Sequence, residues 1–273
     1  MRPWPTTCTS TRRARCTGPS SHVPRHRGRS ATRCRSHRSQ VANLRRAVPE
    51  AAGRAQRDRP AEAAITRVIL LRHGATDWNH LKLAQGLADI PLNDEGWTHA
   101  FHAARDLYGL NLDAVYSSDL QRSRDTARPI ARAHGLEVEI DPDFREIDQG
   151  EWEGLHVDEI KRRWPEIWGP ARHYSARPGG ESPQNVRERA LRALRRIVEA
   201  YPEGTVVIVS HGGTIRWLSA EVLGYDDHRS ARLRGLGNGG ATAFDAELAG
   251  GRLRFTNFHR LDGNTPDLDD PND

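Results

Sequence analysis

The stretch Ile65-Thr66-Arg67-Val68-Ile69-Leu70-Leu71-Arg72-His73-Gly74 decides the fold of this chain. Its first seven residues are mostly aliphatic, a pattern typical of a strand that is buried on both faces. Such strands belong to parallel sheets covered by helices on either side. The strand runs directly into Arg72 and His73, two side chains that can bind anions or react. The stretch therefore predicts a buried strand with a candidate site at its carboxyl end.

Downstream of this strand, segments of strand character alternate with segments of helical periodicity. The predicted strands are 113–117, 136–140, 205–210, 241–245 and 253–258, and the predicted helices are 94–108, 120–133, 156–168, 183–201 and 215–223. This alternation is typical of an α/β protein. We predict a three-layer sandwich, in which a mostly parallel sheet carries helices on both faces and a small cap insertion.

Two histidines follow predicted strands. His73 follows the first strand, and His211 follows the strand that ends at Ser210. Gly212 and Gly213 come next and open a helix, so backbone N–H groups can approach an anion there and the helix N-terminus favours negative charge. A single histidine at a strand end is usually structural, but two in equivalent positions indicate a site for an anionic substrate.

Two arginines and a carboxylate occupy comparable positions. Arg72 precedes His73, Arg122 begins the helix after the second strand, and Glu146 follows the third. Arginine binds phosphate oxygens in a bidentate manner and keeps its charge. A neutral imidazole can attack phosphorus, and a carboxylic acid can protonate a leaving oxygen. The set predicts phosphoryl transfer through a covalent intermediate, with Glu151 and Glu153 as rival acids.

These residues lie in blocks that resemble a known family. The stretch from Leu71 to Asn79, Leu-Arg-His-Gly-Ala-Thr-Asp-Trp-Asn, resembles the signature of the histidine phosphatase superfamily, the clan that includes cofactor-dependent phosphoglycerate mutases. Further blocks follow in the family's order: Gln85-Gly86, Asp89-x-Pro91-Leu92, Ser117-Ser118-x-Leu120-x-Arg122-x-x-x-Thr126-Ala127, Arg145-Glu146-x-x-x-Gly150-x-Trp152-Glu153-Gly154, Gly179-Gly180-Glu181-Ser182 and Ser210-His211-Gly212-Gly213. Arg-His-Gly alone is a weak signal, but blocks in this order are specific.

The resemblance implies a role for each matching residue. His73 would be the nucleophile that becomes phosphorylated, Arg72, Arg122 and His211 would hold the phosphoryl oxygens, and Glu146 would be the general acid and base. The other implied substrate-binding residues are Asn79, Gln85, Gly86, Gly212 and Glu181. Because the arginines and His211 supply the positive charge, the resemblance implies no metal and no cofactor. The expected substrate is a small phosphorylated metabolite.

The length of one segment separates branches of this clan. Mutases carry a long insertion after the acid block, whereas only residues 155–180 separate Gly154 from Glu181 here. We therefore predict the short phosphatase branch, with these residues as a cap that determines specificity. Some of its basic residues could face a second anionic group of the substrate, or they could form a solvated face: Arg162, Arg163, Arg172, His173 and Arg177. A phosphoglycerate mutase and a non-catalytic binder of phosphorylated ligands are the alternatives.

The two ends of the chain differ in composition from its middle. Residues 1–64 hold fifteen arginines and three acids, a net charge of +12. Because the whole chain has a net charge of +5, residues 65–273 carry about −7. We predict that residues 1–63 are a disordered basic segment, or follow from a start site placed too far upstream, that 64–261 form the catalytic domain, and that 262–273 are an acidic, frayed tail. No nucleic-acid partner and no membrane segment are expected. A cytoplasmic location is predicted; the oligomeric state is open, and a homodimer is one option.

Two other motif matches are rejected. The run Gly235-Leu-Gly-Asn-Gly-Gly240 fits the dinucleotide-binding pattern G-x-G-x-x-G, but it follows no strand and opens no helix. It predicts instead a tight turn before the strand at Ala241. His73 and His211 could suggest a metal pair, but neighbouring arginines would repel a cation and Glu146 is the one acid nearby.

Overall fold

The computed structural model describes residues 64–261, so the predictions for 1–63 and 262–273 lie outside the described residues. Six strands form one sheet in that part of the chain. They are β1 (Thr66–Arg72), β2 (Ala114–Ser117), β3 (Val138–Ile140), β4 (Thr205–Ser210), β5 (Ala241–Ala249) and β6 (Arg252–Arg260). Each coincides with a predicted strand.

The sheet has the strand order β3-β2-β4-β1-β5-β6. β1, β2, β3 and β4 run parallel to one another, with Val68 opposite Val206 and Val115 opposite Val207. β5 runs antiparallel to β1 and joins β6 as a hairpin. The predicted mostly parallel sheet is therefore confirmed. The carboxyl ends of β1, β2 and β4 lie side by side, which brings the residues that follow them to one edge.

Seven helices are present in residues 64–261. They are α1 (Asp77–His80), α2 (Asp94–Leu107), α3 (Gln121–Ala133), α4 (Val157–Arg163), α5 (Pro183–Ala200), α6 (Gly212–Val222) and α7 (Asp227–Ala231). The predicted helix 156–168 was too long, because Trp164 precedes Pro165 and a residue before proline avoids helical backbone angles. Helix α6 begins at Gly212, where the glycine pair was expected to open it, three residues before the periodic segment 215–223.

Helices cover the sheet on both faces. Alternate residues of β1 point to opposite sides: Val68 and Leu70 pack with α5 and α6, while Ile69 and Leu71 pack with α2 and α3. All four side chains are almost fully buried. This explains the uninterrupted apolar run of β1 and confirms the three-layer α/β sandwich. Among the described residues, no helix is both long and apolar enough to cross a lipid bilayer.

Candidate active site

The carboxyl end of β1 fixes both the position and the tautomer of His73. Its backbone N–H donates to the carbonyl of Ser210 on β4. Its ring Nδ1 lies 2.7 Å from the carbonyl oxygen of Gly74. A carbonyl oxygen can only accept, so Nδ1 carries the hydrogen and Nε2 carries the lone pair. Burial, with the charges of Arg122 and Arg72, holds the pKa of His73 well below its usual 6.5, so the ring is neutral at neutral pH.

The loop after His73 is locked by two close contacts. The backbone of Gly74 lies against that of Gly96 at the start of α2, where a Cβ on Gly74 would meet the Gly96 carbonyl oxygen at 2.3 Å. Only glycine fits there. The Gly74 N–H also donates to Thr126 Oγ1 on α3 at 2.9 Å. The carbonyl that orients the His73 ring is therefore held by two neighbouring helices.

His211 is the second buried imidazole and stands at the N-cap of α6. Its ring centroid lies 5.1 Å from that of His73. Its Nε2 is 2.7 Å from Ser118 Oγ, and its buried Nδ1 has no hydrogen-bond partner among the described residues. Burial is the main cause of a pKa well below the usual value, and the charge of Arg122 adds to it.

Arg122 and Arg72 bring two guanidinium groups to these rings. Arg122 is fully buried, and it donates through Nη1 to the Ala88 carbonyl and through Nη2 to the Gly86 carbonyl. Arg72 donates through Nη1 to the Leu236 carbonyl at 2.5 Å. The buried Nε of each lacks a partner in the described part of the chain. Burial lowers the pKa of Arg122 to about 10, so it remains a cation at neutral pH.

Glu146 reaches the same cluster from the loop after β3. Its Oε1 accepts from the N–H of Ile147 at 3.0 Å, and its Oε2 accepts from the N–H of Gly213 at 3.1 Å. A Cβ on Gly213 would lie 2.4 Å from Oε1, so the carboxylate occupies space that a side chain would need. Of the rival acids, Glu153 accepts from two backbone N–H groups outside the cluster, those of Leu87 and Ala88.

Arg189 on α5 holds the acid loop in place. It donates to the backbone carbonyls of Asp143, Arg145 and Glu146 at 2.7 to 3.0 Å. Its Nε and Nη2 pair with the two oxygens of Glu181 at 2.9 and 3.0 Å. One guanidinium therefore fixes the backbone on which the carboxylate of Glu146 is carried.

A pocket of about 480 Å³ opens beside this cluster. Arg72, Glu146 and Gly212 line it directly. His73 and His211 do not, but each is adjacent in sequence to a lining residue. Residues of the segment 155–180 form another wall: Val157, Ile160, Trp168, Arg172, His173 and Arg177. The described residues contain no group of three or more His, Cys, Asp or Glu side chains placed to hold a metal ion.

The comparison with known proteins identifies the family. The sequence profile of the histidine phosphatase superfamily (branch 1) matches residues 68–259, which is more than half of the chain. The chain belongs to the histidine phosphatase superfamily. The predicted family is therefore confirmed, as is the prediction of a phosphatase-type enzyme.

The relatives of this chain within the superfamily include proteins named as phosphatases and one named as a probable mutase. Phosphoserine phosphatase 1 of Hydrogenobacter thermophilus is 36% identical over 165 residues, 59% of this chain and 78% of that protein. A probable phosphoglycerate mutase of Cronobacter sakazakii is 34% identical, over 62% of this chain and 80% of that protein. A solved mycobacterial glucosyl-3-phosphoglycerate phosphatase superposes with a TM-score of 0.67 at 32% identity, over 72% of this chain and 98% of that one.

The histidine phosphatase fold brings together five of the residues predicted from the sequence: Arg72, His73, Arg122, Glu146 and His211. Among the predicted substrate-binding residues, Gly212 and Asn79 line the pocket. Gln85 and Gly86 do not; the Gly86 carbonyl instead accepts from Arg122. Glu181 is paired with Arg189 and lines a neighbouring cleft that Glu146 also borders. The geometry therefore assigns Glu181 to the support of the acid loop and does not place it against the pocket.

Three supporting residues of this histidine phosphatase were missed from the sequence. Arg189 lay inside a predicted amphipathic helix with nothing to distinguish it from its neighbours. Asn238 donates through Nδ2 to the carbonyls of His73 and Gly74 and to Asn79 Oδ1. It lies in the glycine-rich run that was rejected as a dinucleotide site. The tight turn predicted there is present, since the Gly240 N–H donates to the Gly237 carbonyl. Ser118, whose Oγ contacts His211, was noted in the sequence only as part of a family motif and was not predicted as a site residue.

Proposed function

We propose that this histidine phosphatase hydrolyses a small phosphomonoester through a phosphohistidine on His73. One observation carries the proposal. The Gly74 carbonyl oxygen lies 2.7 Å from Nδ1 and so keeps the hydrogen on that nitrogen. The lone pair of Nε2 is therefore available, in a ring that burial and the charges of two arginines keep neutral. A neutral, oriented imidazole is what nucleophilic attack on phosphorus requires.

Three buried N–H groups suit the charge that develops on the phosphoryl oxygens. The Nε atoms of Arg72 and Arg122 are donors without a partner among the described residues. If Ser118 Oγ donates to His211 Nε2, the hydrogen of His211 lies on Nδ1, which is also unpartnered. Fixed donors in a buried site stabilise a transition state more than they would in water. We assign these groups to the non-bridging oxygens of the phosphoryl group.

Glu146 is assigned the proton transfers. In the first step the His73 Nε2 lone pair forms the N–P bond, the bond to the leaving alcohol oxygen breaks, and protonated Glu146 gives its proton to that oxygen. In the second step Glu146 takes a proton from water, the water oxygen attacks phosphorus, and the N–P bond breaks. Inorganic phosphate and an alcohol are released, and His73 and Glu146 return to their initial states.

The substrate class follows from the relatives and from the length of the cap. The names of the relatives include a phosphoserine phosphatase and a glucosyl-3-phosphoglycerate phosphatase, so we propose a small phosphorylated metabolite. The relative named as a probable mutase keeps phosphoglycerate mutase activity as the second candidate. Because only residues 155–180 separate Gly154 from Glu181, we favour hydrolysis. A non-catalytic binder would be expected to lack one of the five clustered residues.

The deciding experiment measures phosphate release from a panel of phosphorylated metabolites and from p-nitrophenyl phosphate, in EDTA. We expect turnover that His73→Ala abolishes and that His228→Ala, a change at an exposed histidine of α7, leaves intact. Acid-labile, base-stable labelling of the wild-type protein would report the phosphohistidine. Interconversion of 2- and 3-phosphoglycerate without release would favour the mutase, and neither activity would favour the binder.

The role of Glu146 is tested by the leaving group. Glu146→Gln keeps the shape of the side chain but cannot donate a proton as a carboxylic acid does. We expect the variant to slow alkyl phosphates far more than p-nitrophenyl phosphate, whose leaving group needs no protonation. Equal losses on both substrates would remove Glu146 from the acid role while leaving the phosphohistidine intact.

A further inference from the structure

Three consecutive backbone carbonyls at the end of β1 face the glycine-rich loop that precedes β5. The Gly239 N–H donates to the carbonyls of Arg72 and His73 at 3.1 and 3.2 Å. The side chain of Asn238 donates through Nδ2 to the carbonyls of His73 and Gly74 at 3.1 and 3.3 Å. The Gly74 carbonyl also accepts from His73 Nδ1, so both of its lone pairs are engaged. Asn238 therefore holds the acceptor that orients the nucleophile.

The same NH2 group reaches a second amide, that of Asn79. Asn238 Nδ2 lies 3.2 Å from Asn79 Oδ1, which also accepts from the N–H and the hydroxyl of Thr76, both at 3.0 Å. A backbone N–H can only donate, so the atom of Asn79 that faces Thr76 is the oxygen, and the atom of Asn238 that faces this oxygen is the nitrogen. The NH2 group of Asn79 is therefore the part of that amide that can reach a ligand in the pocket, which Asn79 lines.

The backbone of the loop is held in place without the Asn238 side chain. The Arg72 N–H donates to the Gly240 carbonyl at 2.9 Å, and the Gly240 N–H donates to the Gly237 carbonyl at 3.0 Å. The Leu236 carbonyl accepts from Arg72 Nη1. Removal of the amide at position 238 should therefore take away side-chain hydrogen bonds and leave the loop where it is.

We propose that Asn238 is a positioning residue that couples the nucleophile to a substrate-binding amide. Through the Gly74 carbonyl it holds the His73 ring in the orientation and tautomer that present Nε2. Through Asn79 Oδ1 it turns an NH2 group toward the phosphorylated ligand. Both partners share one donor group, so a displacement of one is passed to the other. This inference rests on the proposed phosphatase activity of the same site.

Two substitutions at position 238 separate hydrogen bonding from packing. Asn238→Ala removes the amide, and we expect kcat/KM for p-nitrophenyl phosphate to fall about ten- to a hundredfold, because a displaced nucleophile reacts more slowly. Asn238→Asp keeps the shape but places an oxygen against three acceptor oxygens, so it should be at least as damaging. A side chain that only filled space would make the aspartate variant the milder one. Asn111→Ala and Asn111→Asp, at an exposed loop position, are the matched controls and should change nothing.

A double-mutant cycle tests the coupling between Asn238 and Asn79. If Asn238 acts partly through Asn79, Asn238→Ala should cost less in a protein that already carries Asn79→Ala. We expect the combined loss in kcat/KM to be smaller than the product of the two single losses by at least about threefold. Losses that simply multiply would overturn the coupling.

The tautomer of His73 gives a readout that does not depend on turnover. Nitrogen NMR distinguishes the ring nitrogen that carries the hydrogen from the one that carries the lone pair. We expect a single tautomer in the wild-type protein at neutral pH. In Asn238→Ala the Gly74 carbonyl is less firmly held, so we expect a mixture of the two tautomers. The signals of this ring are assigned by their loss in His73→Asn.

Two further results would overturn the inference. One is a single tautomer with wild-type rates in Asn238→Ala, and the other is an aspartate variant that is less damaged than the alanine variant. Circular dichroism and thermal melting identify a variant that fails to fold; if Asn238→Ala does so, Asn238→Asp is compared with the wild-type protein, where unchanged rates and tautomer contradict the proposal. The failure of the proposed function looks different, because it would remove His73-dependent phosphate release from the wild-type protein, while the NMR signals would still report the ring.

Discussion

The floor of the site and its cap are built in different ways. The floor consists of Arg72, His73, Arg122 and His211, which stand at the carboxyl ends of β1 and β4 and at the start of α3. The cap is the segment 155–180, whose regular structure is limited to the seven residues of α4 and a 3-10 turn at Pro170–His173. The floor is therefore positioned by the central sheet, whereas the cap is held by side-chain contacts and by single backbone hydrogen bonds to residues 82–84 and 151.

The contacts within the cap are mostly between arginine and tryptophan. Trp152 packs against Trp164 and Trp168 with ring centroids 6.2 and 5.8 Å apart. Arg172 and Arg177 lie over two of these rings. Such contacts join side chains and add no hydrogen bond to the sheet. We propose that the floor determines the reaction and the cap determines the substrate.

The largest effect is expected for a change in the floor. Arg122→Met keeps the apolar stem and removes the buried guanidinium. We expect kcat/KM for p-nitrophenyl phosphate to fall about 10²- to 10³-fold, as for other fixed donors to a developing oxyanion. Arg132→Met, at an exposed position of the same helix, is the control and should change little. Wild-type rates in the Arg122 variant would exclude it from the floor chemistry.

The next largest effect is expected where the floor meets the acid loop. Lysine at position 189 cannot reach three carbonyls and both oxygens of Glu181 at once. Arg189→Lys should therefore misplace Glu146 and lower kcat for alkyl phosphates about ten- to a hundredfold, with a smaller loss for p-nitrophenyl phosphate. Arg192→Lys, exposed on the same helix, serves as the control. The same loss on both substrates would mean that Arg189 supports the fold in general.

The histidines of the floor also make stability depend on pH. The pKa values of His73 and His211 lie well below 6.5 in the folded protein, so below pH 6.5 the unfolded chain binds protons that the folded chain does not. The free energy of unfolding is highest above this pH and falls as the pH decreases, by about 1.4 kcal/mol per unit for each such group. His73→Asn should reduce the slope between pH 6.5 and 5 by this amount in urea titrations. Parallel wild-type and variant profiles would contradict the burial of a neutral His73.

The smallest effect is expected on the outer face of the cap. Arg163 is exposed, lies 3.5 Å from Glu159 and stacks at 4.4 Å over Trp164. Arg163→Ala should lower the free energy of unfolding by no more than about 0.5 to 1 kcal/mol. Neither kcat nor kcat/KM should change. A change in kcat/KM would extend the substrate-binding surface from the pocket wall to the outer face.

Elements that depend on neighbouring residues were predicted more accurately than elements that depend on distant contacts. The strand 205–210 was predicted at its observed bounds, because an apolar run between turn residues is a local signal. Helical periodicity alone placed the helix of α6 only from residue 215, because Gly212 and Gly213 are poor helix formers; the observed helix includes the glycine pair that was expected to open it. Arg72 and Glu146 occupy the space that a Cβ on Gly212 or Gly213 would need. Contacts across the fold therefore decide which residues fit at the start of this helix.

In the site as well, residue types were predicted from the sequence, whereas burial and pairing depend on distant contacts. The sequence named Arg72, His73, Arg122, Glu146 and His211, and the structure gathers them into one cluster. The sequence could not show that Arg122 is buried, or that Glu181 pairs with Arg189. The roles of the five residues in catalysis remain predictions for the experiments above.

By itself, the sequence determined the α/β class, the family and the types of reactive group, because periodicity and side-chain chemistry are properties of the chain. Only the tertiary structure decided the tautomer of His73, through the closely packed Gly74. It also placed the carboxylate of Glu146 at the start of α6 through an N–H of Gly213, 67 residues away. Hydrogen bonds, burial and charge act over a few ångströms in space. They therefore depend on which distant residues the fold brings together.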